Sequence, residues 1–60
     1  MTKFEFVTRC QRHFAKRTND YAYDWSENAE LCYESAVEFY GEIIPDYPEY
    51  YADEEMDCWD

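Results

Sequence analysis

A chain of 60 residues carrying a net charge of −10, with four Phe, seven Tyr and two Trp, is expected to make one small domain with a single core. Such a core rarely supplies more than roughly 3–5 kcal/mol of stability without disulfides, a metal or a second chain. The charge repels nucleic acid and anionic membrane surfaces and favours basic partners, including proteins that themselves bind nucleic acid.

The first predicted element is announced by a capping box. Thr2 and Glu5 stand in T-x-x-E spacing, and Met1 and Phe6 are placed as the hydrophobic staple. Phe4, Val7, Cys10 or Gln11, and Phe14 then recur at three or four residues, with Phe6, Cys10 and Ala15 broadening the face. A helix over 3–17 follows, about 22 Å long. Lys16 and Arg17 fall in its last turn, where the macrodipole favours cations.

Thr18 to Tyr23 reads as a connection, with Asn19 and Asp20 marking the break and a length that suits an antiparallel helix pair. The second helix is expected over 24–44, opened by Asp24 with Glu27 and stopped by Pro45. Trp25, Ala29, Cys32, Ala36, Phe39 and Ile43 recur at alternating spacings of three and four, the seam of a hairpin or of a dimer. On the same helix Glu30, Glu34, Glu38 and Glu42 form a ladder of like charges. Each i,i+4 pair in it costs an isolated helix roughly 0.2–0.5 kcal/mol, so something should offset it.

The remaining stretch, 46–57, has two readings. Asp46 and Glu49 with Pro48 in the first turn suit a short third helix; the same composition suits an acidic, aromatic tail that orders on binding. The expected fold is therefore all-α, an antiparallel helical hairpin with a short C-terminal helix as an option. The aromatic surplus predicts an interface, with a homodimer as the expected form.

All five bases lie in the first seventeen positions against one acid, so that part carries about +4 and the remainder about −14. In an antiparallel hairpin Lys16 and Arg17 would approach Glu27 and Glu30, Arg9 and Arg12 would approach Glu34 and Glu38, and Lys3 would approach Glu42. The acids from Asp46 onward would then have no base left to meet. That surplus points to an outside partner, with Glu30, Glu34, Glu38, Glu42, Glu49, Tyr50, Tyr51, Asp53, Glu54, Glu55 and Trp59 as the contact residues. A sharper version is a nucleic-acid mimic. The second helix displays roughly one carboxylate per 5.5 Å, sparser than the one charge per ~3.4 Å of a DNA strand, so a mimic would need two helices together.

Other chemistry is poorly supported. Cys10 and His13 with Cys32 and Cys58 contain only one close ligand pair, where zinc sites usually show two, so no metal and no cofactor is expected. A single glycine, Gly41, provides no phosphate-cradling loop, and a helical hairpin offers little concavity in which to shift a carboxylate pKa. The expectation is a protein that is not an enzyme. The stripe Arg9, Arg12, Lys16 and Arg17 would meet phosphates only against the repulsion of the other residues, so direct nucleic-acid binding is not expected. An odd number of cysteines and the absence of an 18-residue apolar run suit a reducing cytoplasm and no membrane span.

In its length, in its capped first helix with Thr8-Arg9-Cys10-Gln11-Arg12-His13-Phe14, and in its acidic, aromatic C-terminal half, the chain resembles the small acidic proteins encoded in the early exo–xis region of lambdoid phages. The resemblance covers the whole chain in character. It implies a protein made early in infection that shifts the choice between lysis and lysogeny by binding a host protein.

Overall fold

The computed structural model describes residues 2–40 and 47–59. Three helices make up its regular structure: α1 over Lys3–Thr18, α2 over Ser26–Tyr40 and α3 over Pro48–Asp57. Among the described residues there is no strand.

Helix α1 starts where its capping box places it. Thr2 has extended backbone, and its Oγ1 accepts from the Glu5 N–H at 3.1 Å, satisfying one of the donors left over at a helix start. The Met1 half of the expected staple lies outside the described residues. The helix closes on Asn19 in the left-handed region (φ 57°), whose N–H donates to the Ala15 carbonyl. Asparagine tolerates that conformation better than most residues with a Cβ.

The turn into α2 is held by Asp20. Its carboxylate accepts from the Ala22 and Tyr23 N–H groups, and its carbonyl accepts the Trp25 indole N–H at 2.9 Å. These bonds keep Trp25 in the connection, so α2 begins at Ser26 rather than at the expected position 24. The Asp24 carboxylate still serves the start, accepting from the Ser26 N–H at 3.0 Å, and the first intrahelical bond runs from Ala29 N–H to the Trp25 carbonyl. Residues 41–44, predicted to end this helix, lie outside the described residues.

The stretch with two readings is helical. Pro48 occupies the first turn of α3, where its missing N–H costs nothing. The expected opening by Asp46 lies outside the described residues, and Tyr47 caps the helix without a side-chain hydrogen bond.

The core is asymmetric in residue size. Helix α1 contributes Phe6, Cys10 and Phe14, each fully buried, at i, i+4 and i+8. Helix α2 opposes them with the small residues Ala29, Cys32 and Ala36, and α3 closes the cluster with Tyr51 and Ala52. Small against large lets the rings fill the space between closely approaching backbones. Ring contacts run in opposite order along the first two helices, Phe6 beside Tyr33 and Phe14 beside Trp25, as in an antiparallel pair.

Two sequence expectations about faces are corrected. Phe4 is 79% exposed and Val7 only partly buried, because the buried row of α1 is Phe6–Cys10–Phe14. Phe39, expected in the seam of a hairpin or of a dimer, is 80% exposed and so lies outside the hairpin core: among the described residues the buried row of α2 ends at Ala36, and an offset of about sixty degrees from Ala36 turns Phe39 outward. Ile43 lies outside the described residues.

At one end of the helices three rings stack. Phe14, Trp25 and Trp59 lie 5.4 to 5.9 Å apart by centroid, with their planes within 15° of parallel. One ring comes from each of α1, the connection before α2 and the segment after α3, so a single aromatic stack joins all three elements. Trp59, expected to face a partner, takes part in this stack while staying 40% exposed.

Candidate interaction surface on helices α2 and α3

Electrostatics decides which carboxylates remain for an outside ligand. Arg9, His13 and Arg17 stand at i, i+4 and i+8 on α1; Glu49 and Asp53 stand at i and i+4 on α3. The two rows meet. Arg9 holds Glu49 bidentately, donating from Nε at 2.9 Å and from Nη2 at 2.8 Å. Asp53 Oδ1 lies 2.7 Å from both His13 Nε2 and Arg17 Nη1. Lys3 reaches Glu30 at 3.6 Å and lies over the Tyr33 ring.

This differs from the pairing expected from a two-helix hairpin, in which Lys16 and Arg17 met Glu27 and Glu30, Arg9 and Arg12 met Glu34 and Glu38, and Lys3 met Glu42; Glu30 is paired, but by Lys3. With α3 packed against α1, Arg9, His13 and Arg17 turn to the third helix. Two of the carboxylates expected to be left without a base are therefore matched internally. His13 is partly buried and belongs to this network. The matching four-residue steps of Arg9–His13–Arg17 and Glu49–Asp53 were the signal for it.

The Asp53 carboxyl is held below its ordinary value of 3.8 by the hydrogen bonds from His13 and then Arg17. Asp24 is likewise lowered, by its hydrogen bonds to Ser26. A carboxyl depressed in the folded state stabilises the fold fully above its unfolded value, and that contribution is lost as pH falls through the lower folded value. Stability is thus expected to fall as pH drops below 3.8, and Asp53→Asn should show a shallower acid limb in a urea-midpoint series against pH. Identical acid limbs for the two proteins would count against the network.

The sequence-predicted contact residues divide into groups. Glu30, Glu49 and Asp53 are in ion pairs, Tyr51 is buried in the core at 9% exposure, and Trp59 is in the stack. Tyr51 is a correction: its ring packs on Phe6, filling the core between α1 and α3. Glu42 lies outside the described residues. Glu34, Glu38, Glu54 and Glu55 make no ion pair among the described residues, and Tyr50 is 57% exposed.

Several of these residues border one groove between α2 and α3, about 370 Å³ in volume. Cys32 forms its floor, Ser35 and Phe39 one wall, Tyr50 and Glu54 the other, and Cys58 and Glu55 also line it. Leu31, Ser35 and Phe39 follow at i, i+4 and i+8, and Leu31 is 48% exposed, so the apolar strip continues along the outer edge of α2. Phe39, 80% exposed, borders this groove rather than the hairpin core.

The thiols beneath the groove are structural. Cys10 Sγ donates to the Pro48 carbonyl at 3.3 Å and Cys32 Sγ to the Tyr51 carbonyl at 3.7 Å, tying α1 and α2 to the backbone of α3. The adjacent Cys32 thiol and burial push the Cys10 thiol up, keeping it protonated. Since Cys10 faces Pro48 and His13 faces Asp53, the two residues three apart in sequence address different neighbours. Among the described residues no three of His, Cys, Asp and Glu converge as a metal site would require.

No helix among the described residues is long and apolar enough to cross a membrane. The surface combines a mostly apolar groove with carboxylates that make no ion pair among the described residues, an arrangement suited to binding. No family model matches the chain, and no curated protein or solved structure matches it significantly.

Proposed function

We propose that the chain is a small regulatory interaction protein whose α2–α3 face captures a basic protein. The observation that supports this most is the division of charge: Lys3, Arg9 and Arg17 are engaged with Glu30, Glu49 and Asp53, while Glu34, Glu38 and Glu54 are exposed and Glu55 half-exposed, with no base among the residues after Arg17. Unmatched carboxylates beside exposed apolar side chains give complementarity to a cationic surface, and such charges govern partner choice and encounter rate. The resemblance to early lambdoid phage proteins gives this capture its setting: a host protein in the bacterial cytoplasm, bound early in infection so as to bias lysis against lysogeny. In this reading the protein acts by occupancy and catalyses nothing.

The test is capture from bacterial lysate by the immobilised full chain, compared with the variant Glu34→Lys/Glu38→Lys/Glu54→Lys/Glu55→Lys. These four side chains make no ion pair among the described residues, so far-UV circular dichroism should be unchanged while capture of the basic protein falls by more than about tenfold. Undiminished capture would remove the acidic face from the mechanism. Added duplex DNA separates the nucleic-acid-mimic alternative, because a mimic is displaced by the duplex it imitates.

A further inference from the structure

The groove itself says more about its occupant than the charge does. Its lining is mostly apolar and aromatic, with Phe39 80% exposed and Tyr50 57% exposed, and carboxylates sit on the α3 side at Glu54 and Glu55. Glu38, next to Phe39 in sequence and exposed, adds a charge on the α2 side. Two nearly rigid rods form the walls, and α3, ten residues or about 15 Å long, sets the length of the seat.

We propose that the α2–α3 groove seats a single amphipathic α-helix of the partner, with aliphatic or aromatic anchors along one face and Lys or Arg on both flanks. The inference rests on the acidic-capture reading above and adds the form of the ligand. A groove between two helices, apolar along its centre and charged along its edges, fits a helix that presents anchors at i, i+3, i+4 and i+7. The flanking bases of such a helix fall opposite Glu38 on one side and Glu54 and Glu55 on the other. An extended chain matches the groove less well, because alternate side chains would point away from its floor.

Charge also argues against a second copy as occupant. Two-fold pairing across this face would bring the same carboxylates of both protomers together, in a chain whose net charge is already −10. A basic helix meets the same carboxylates with opposite charge.

The test uses the full chain and two labelled synthetic peptides of about fourteen residues. One has Leu at i, i+3, i+4, i+7 and i+11 flanked by Lys; the other has the same composition rearranged so that no face is apolar. Fluorescence anisotropy should show the amphipathic peptide binding more than about tenfold tighter, with a gain in helicity. Phe39→Ala and Tyr50→Ala, each confirmed helical, should erase that preference while leaving the salt-sensitive binding of the rearranged peptide. Equal binding of the two peptides overturns the helix-in-groove inference and leaves acidic capture standing. Binding of neither peptide overturns both. A preference that survives Phe39→Ala and Tyr50→Ala places the helix elsewhere and overturns the inference. So does a dimer in sedimentation that Phe39→Ala dissociates, since the occupant would then be a second copy.

Discussion

Phe14→Ala is expected to leave the chain largely unfolded at room temperature. Phe14 is fully buried, and its ring lies beside those of both Trp25 and Trp59, at 5.4 and 5.6 Å. Truncating a buried Phe costs about 3–5 kcal/mol through lost burial and the cavity left behind. Stacked partners add about 0.5–1.5 kcal/mol per pair. A core of this size holds roughly 3–5 kcal/mol in all, so the loss matches or exceeds the stability available. Far-UV circular dichroism and tryptophan emission should both read as unfolded without denaturant. Phe39→Ala, at an 80% exposed site, serves as the control and should shift stability by no more than about 0.5 kcal/mol. A cooperative urea transition for Phe14→Ala near the wild-type midpoint would show that the stack does not hold the helices together.

Glu49→Lys/Asp53→Lys is expected to release α3 from α1. The double substitution removes the bidentate Arg9–Glu49 pair and the contacts of Asp53 with His13 and Arg17, and places two cations against the bases of α1. Exposed ion pairs contribute about 0.2–1 kcal/mol each, with a bidentate guanidinium–carboxylate pair at the upper end. Replacing attraction by repulsion then costs on the order of 2–3 kcal/mol, most of what a domain of this size has. The expected result is a lower urea midpoint and faster hydrogen exchange in α3 than in α1. Because these two carboxylates are structural, losing partner capture in this variant would say nothing about the contact surface. The Glu34, Glu38, Glu54 and Glu55 set is the one that reports on it. An unchanged midpoint would mean that the apolar contacts of Tyr51 and Ala52 alone fix α3.

What could be read in advance follows the range of the interactions involved. The start of α1 was legible because the Thr2–Glu5 cap is a contact over three residues. The row Ala29, Cys32 and Ala36 was legible because helical periodicity marks a buried face whatever packs against it. The start of α2 was misplaced by two residues because Trp25 is held by Asp20 and by Phe14 rather than by its own helix. The partners of the bases were misassigned for a related reason. Arg9 and Glu49 are forty residues apart, and a carboxylate's sequence position says nothing about which of two neighbouring helices will reach it. Once α3 is taken as helical, the shared four-residue step of Arg9–His13–Arg17 and Glu49–Asp53 becomes the readable signal. The candidate surface was legible in its charge but not in its apolar part. Phe39 has the spacing of a seam residue, and only the path of α3 shows that it borders the groove.

The aromatic stack has a consequence for how the protein is made. Phe14 and Trp25 emerge from the ribosome early, but their third ring is Trp59, and the anions that meet Arg9 and Arg17 come some forty residues after them. The nascent amino-terminal helix therefore has no completed core to dock on until α3 has cleared the exit tunnel. Chains stalled or cleaved before Pro48 would present Phe6 and Phe14 to chaperones and proteases, so cellular quality control would act on the length of the product as much as on its sequence.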